Sequence, residues 1–61
     1  MAELFPPSIE EQIACVEREI KYREHVYARR VSNKQMTQQL ADREITRMKA
    51  VLNTLKKVRG Q

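Results

Sequence analysis

Two helix start signals, Ser8 and Thr37, divide this 61-residue chain into two segments of nearly equal length. Ser8-Ile9-Glu10-Glu11 has the form of a capping box. The Ser8 hydroxyl is set to accept from the Glu11 amide, and the Glu11 carboxylate to reach back to the Ser8 amide. Thr37 opens the second segment after a polar turn, with Met36 and Ala41 placed as a weak hydrophobic staple. No Gly or Pro interrupts residues 9–31 or 38–58. The expected fold is therefore all-α: an antiparallel two-helix hairpin with helix 9–31 (ending at Arg30 or Val31), turn 32–36 and helix 38–58. Residues 1–7 form an extended lead, held out of helix by Pro6-Pro7. Residues 8–61 form the single domain, and Phe5 is placed to fold back on the first helix.

Apolar spacing says which faces are buried. Ile9, Ile13, Val16, Ile20, Tyr27 and Val31 fall in one narrow arc at 100° per residue. In the second helix Ala41, Ile45, Met48, Leu52 and Leu55 repeat at 4,3,4,3 spacing. Leu40, Val51 and Val58 widen that stripe beyond what one neighbouring helix covers. Cys15, Tyr22 and Val26 add a minor strip off the main face of helix one. A chain this short buries only ~60% of the surface it exposes when unfolded, and small domains are usually rescued by disulfides, a metal or association. The single Cys15 makes no internal disulfide, and one histidine, His25, rules out the usual zinc ligand count within one chain. Oligomerisation or a binding partner remains. The expectation is a homodimer packed as a four-helix bundle, or docking onto a partner, with the stripe residues together with Val51 as the oligomer or core face.

End signals agree with these bounds. Glu10 and Glu11 lie in the first turn of helix one and Arg29 and Arg30 in its last, matching the macrodipole. Asn33 is expected to take the left-handed cap, and Gly60 to stop helix two after Lys56, Lys57 and Arg59.

The net charge of +4 is unevenly spread. Residues 1–17 hold four glutamates and no Lys or Arg, whereas the middle and C-terminal parts are basic. Arg43, Arg47 and Lys57 run along one side of helix two, and Arg29, Arg30 and Lys34 cluster at the turn. These six form the candidate partner-binding set. A phosphate backbone could be tracked by such a row. Asp42 and Glu44 interrupt it, however, and no aromatic interleaves with it as a stacking platform would. A solvated charged face is the default for such a row, with nucleic-acid contact and an acidic protein partner as its functional readings. For the chain as a whole, protein binding leads and nucleic acid is the alternative. Catalysis has no candidate. Cys15 and His25 lie ~15 Å apart along one helix axis, too far to act as nucleophile and base. Glu17, Glu24 and Glu44 lack the Glu-x-x-His spacing of a bundle di-iron site. Glu24 and Glu44 are instead expected to pair with Arg from a neighbouring helix. No cofactor or metal is expected. A lone thiol, the absence of an apolar run of ~18 residues and an N-terminus without a basic region imply no membrane span and a cytoplasmic setting.

The stretch Phe5-Pro6-Pro7-Ser8-Ile9-Glu10-Glu11-Gln12-Ile13-Ala14-Cys15-Val16-Glu17-Arg18-Glu19-Ile20 and the later Met36-Thr37-Gln38-Gln39-Leu40-Ala41-Asp42-Arg43-Glu44-Ile45 carry a resemblance. The chain resembles short hypothetical proteins encoded by tailed bacteriophages and bacterial prophages. Those chains pair a Ser-capped helix with a Met-Ser/Thr start to an "ADREI" helix. The resemblance implies a phage origin and a host-cytoplasm setting, and no activity. Those chains often carry Pro and Trp after the first helix's Tyr. Here Ala28-Arg29-Arg30-Val31 stands in that place, so the helix is expected to run on. The function expected is that of a small non-catalytic module that binds a host or phage protein.

Overall fold

The computed structural model describes residues 6–61, so the expected fold-back of Phe5 lies outside the described residues. Two helices make up the fold: α1, Ile9–Ser32, and α2, Gln38–Arg59, packed against each other as a hairpin. Each runs one residue or so past its expected end, ordinary fraying latitude for a helix terminus.

The two caps act as the sequence implies. Ser8 is extended, and its Oγ accepts from the Glu11 amide at 3.1 Å. Thr37 is likewise extended, and its Oγ1 accepts from the Leu40 amide at 3.1 Å. Each hydroxyl thus satisfies one of the four amides that a helix start leaves without a partner. The reciprocal half of the capping box is not among the described hydrogen bonds. Gln12 Nε2 instead donates to the Pro7 carbonyl at 3.1 Å and ties the incoming chain to the first turn.

The turn corrects one expectation. Asn33 is not left-handed (φ −87°); Lys34 is, at φ 60°. The Gln35 amide donates to the Arg30 carbonyl at 2.8 Å and the Lys34 amide to the Val31 carbonyl at 3.1 Å. This pair of bonds is the Schellman closure, with the left-handed residue one place beyond the cap. Asn33 fills the cap itself, donating its amide to Arg29 and Val31. Gly60 ends α2 without using its freedom. It stays right-handed, at φ −78°, and its amide donates back into the last turn.

Packing follows the stripes. Ile13 and Ile20 from α1 and Ala41 from α2 are the buried side chains among the described residues. Ile9, Val16, Tyr27, Val31, Ile45, Met48, Leu52 and Leu55 are only half-buried. Val51, expected on the oligomer or core face, is exposed within one copy of the chain. Leu52 points at α1, and its neighbour is turned ~100° away from it, onto the flank of the hairpin.

A second feature fixes how the helices align. Glu24 pairs with Lys49 at 4.0 Å, Glu17 with Lys56 at 3.9 Å and Glu10 with Arg59 at 3.5 Å. A step of seven down α1 meets a step of seven up α2, and the long Arg59 side chain closes the open end. Acidic residues on α1 face basic ones on α2, so the uneven charge along the sequence becomes a ladder between helices.

Arg23 occupies the place in α1 where the 4,3 spacing would put another apolar residue. Its Nε donates to Glu19 at 2.8 Å, and one terminal nitrogen donates to the Tyr27 hydroxyl at 3.2 Å. The bond to Glu19, then that to Tyr27, hold the guanidinium above its ordinary, already high pKa. The charge therefore stays on its own helix.

Candidate interaction surface

The two flanks of the hairpin differ in chemistry. At 100° per residue, Glu10, Glu17 and Glu24 fall on one side of the α1 stripe, and Cys15, Tyr22 and Val26 on the other. On α2, Lys49 and Lys56 share the acidic side of the hairpin, and Leu40, Val51 and Val58 the opposite side. One flank is thus the inter-helix ladder; the other carries these apolar residues together with the Glu19–Arg23 pair of α1 and the Glu44–Arg47 pair of α2.

The apolar flank stays open to solvent. Tyr22 is 65% exposed, Leu40 41%, Val51 51% and Val58 51%. Cys15 is a free, exposed thiol, and with Val16, Val51 and Leu55 it lines a shallow groove along the seam. Single exposed apolar residues are normal on a soluble protein. Leu40, Val51 and Val58 gather along one arc of α2, and clustered apolar exposure of that kind marks contact surfaces. Glu44 and Arg47 are the charges within the strip on α2, joined to each other at 3.2 Å. Glu44 therefore does not reach an Arg of α1, because three residues along a helix bring Arg47 closer. Glu24 does cross to its neighbour, where it meets Lys49 rather than an Arg.

The basic candidates are placed on the outside. Arg29, Arg30, Lys34, Arg43, Arg47 and Lys57 are all exposed. Arg47 is the one of these six with an ion pair among the described residues. They do not converge on one spot: Arg43 and Lys57 lie on the outer side of α2, and Arg29, Arg30 and Lys34 surround the turn. Thr54, within the α2 row, turns its hydroxyl onto the Ala50 carbonyl at 3.1 Å.

Cys15 and His25 are both exposed and stand on the same helix, ten residues apart. Among the described residues no three of His, Cys, Asp or Glu come together as a metal site, and no helix is long and apolar enough to cross a membrane. The ladder is the arrangement that sequence reasoning missed. Its signal was present as glutamates at 10, 17 and 24, one heptad apart, opposite lysines at 49 and 56 with the same spacing.

Comparison with known proteins adds no relative. The chain matches no protein-family model, no curated protein and no solved structure.

Proposed function

We propose that this protein is a small non-catalytic interaction module, a helical hairpin that self-associates towards a four-helix bundle and binds another protein. One observation carries the reading. Tyr22, Leu40, Val51 and Val58 stay exposed, while Ile13, Ile20 and Ala41 are the buried side chains among the described residues. Apolar contact gives such a module its affinity. The charges outside it, at Arg29, Arg30, Lys34, Arg43 and Lys57, steer the encounter and set orientation. The resemblance to short phage and prophage chains supports a host or phage protein as partner and the host cytoplasm as the setting.

A second reading keeps a specific observation of its own. Five of the six basic candidates are exposed with no carboxylate partner among the described residues. Nucleic acid would use them as phosphate contacts. The two readings separate in a paired capture from host cells. Wild-type bait is compared with an Arg43→Glu/Lys57→Glu bait, each with and without nuclease, and duplex DNA binding is titrated against salt in parallel. The module reading expects a nuclease-resistant protein partner and no DNA binding at low salt. A steep log–log salt slope, lost in the variant, overturns it in favour of nucleic acid.

A further inference from the structure

The apolar flank needs an occupant, and two observations identify one. The first is area. The chain exposes 5219 Å², whereas a compact monomer of its 7.2 kDa mass exposes ~4,100 Å². The excess of ~1,100 Å² is shared by the chain ends, the elongated outline of the hairpin and the open flank. A standard interface takes ~800 Å² from each partner.

The second is the order of residues along α2. Leu40, Glu44, Arg47, Val51, Thr54 and Val58 follow one another at steps of four, three, four, three and four, a heptad seam separate from the one that packs on α1, with Thr54 a polar position in it. In an antiparallel pair of identical helices, residues equally far from the centre face one another. Leu40 and Val51 are centred between Ile45 and Thr46, and so are Glu44 and Arg47. A single twofold therefore sets Leu40 of each copy on Val51 of the other, and each Glu44 on the other's Arg47.

From this area and this symmetry we infer that the flank is covered by a second copy of the chain, α2 against α2, antiparallel and in that register. The assignment rests on the module reading and gives it a first partner. Apolar residues meet apolar ones, and carboxylates meet guanidiniums with the charges alternating around the axis. The antiparallel helix dipoles also oppose each other favourably. Val58 of each copy then lies over the other's turn, where Val31 and Met36 line a groove. The Glu44–Arg47 layer specifies register, the best-attested use of polar groups in such seams.

The test is sedimentation equilibrium of the full chain from micromolar to millimolar concentration, with far-UV circular dichroism on the same samples. Twice the 7.2 kDa chain mass is expected for the wild type. Val51→Lys sets two unpaired charges at the seam and is expected to weaken association by at least ~100-fold. Arg47→Glu weakens it too, and Glu44→Arg/Arg47→Glu restores it. Ala50→Lys, on the outer side of α2, leaves the dimer intact. If Val51→Lys unfolds while Ala50→Lys stays a folded dimer, the proposal also gains, because Val51 is half exposed within one copy and loses little there. A folded wild-type monomer throughout overturns the second copy as occupant, and the capture experiment then decides separately whether another protein takes its place. A dimer indifferent to Val51→Lys, or a charge-swapped double variant no better than Arg47→Glu, overturns the seam.

Discussion

Reversing the charges of one rung tests whether the ladder sets the alignment of the hairpin. Glu24 and Lys49 are the rung to use. Both lie away from helix ends, so the macrodipole does not enter. The α2 neighbours of Lys49 at three and four residues, Ile45, Thr46, Leu52 and Asn53, are uncharged. The pair stands 4.0 Å apart with side chains 60% and 50% exposed. Two unit charges at ~4 Å attract by about 1 kcal/mol in bulk water. Ordering two long, half-exposed side chains offsets most of that and leaves about 0.2–0.5 kcal/mol. Glu24→Lys or Lys49→Glu alone exchanges attraction for repulsion, so each single variant loses about 0.5–1 kcal/mol. The double swap recovers most of it.

The assay is a double-mutant cycle from urea denaturation followed by circular dichroism, at one protein concentration so that association does not vary. A coupling of about 1–2 kcal/mol, the two single losses that the double swap recovers, is expected in low salt. Molar salt shortens the screening length to ~3 Å and should remove most of the coupling. Additive singles, or a coupling that molar salt leaves untouched, would show that the rung does not exist in solution. The same cycle run on the mismatched pair Glu24 and Lys56 should give no coupling. If it did, the helices would be aligned one heptad away from the register described.

Three further outcomes follow from individual residues. Ile20→Ala removes a buried side chain of the hairpin seam and should lose about 2–5 kcal/mol, enough to unfold most of a chain whose total stability is of order 5 kcal/mol; loss of helix signal at room temperature is the readout. Ser8→Ala and Thr37→Ala should each lose about 0.5–2 kcal/mol in thermal or urea unfolding, and a null effect would mean that the capping bonds do not persist in water. Lys34→Gly relieves a left-handed lysine at the helix end and should raise stability by about 0.5–1 kcal/mol; an unchanged or lower melting temperature would place the left-handed residue elsewhere in the turn.

The legible part of this fold was local. Ser8 and Thr37 marked the helix starts because a short hydroxyl side chain competes well for the first free amides. Ile13, Ile20 and Ala41 were legible as core because their spacing repeats at the helical period. The turn was less so. Asn33 and Lys34 are adjacent, both tolerate the two conformations the closure needs, and the propensity of Asn for the left-handed region pointed to the wrong one of the pair. The ladder was hidden for a different reason. Each rung joins residues 25 to 49 positions apart, and the partner of a glutamate on α1 is fixed only after the turn has set the alignment of α2. Charge spacing on one helix gives a rung's position but not its mate.

The surface problem was visible before any coordinates, and the reason bears on function. A helix hides one arc of its surface against a single neighbour, yet α2 carries apolar residues across two arcs, centred on Leu52 and on Val51. No hairpin geometry buries both, since adjacent residues on a helix diverge by ~100°. The arc centred on Leu52 faces α1 and the arc centred on Val51 is left to solvent, with Val51 and Val58 half exposed in the structure. If the second arc had only a solubility role, charged residues would have served it better. Its placement beside the seam, in one groove with Cys15 and Leu55 and opposite the inter-helix ladder, is the arrangement expected of a contact surface. That contact is where the function of the chain is to be sought.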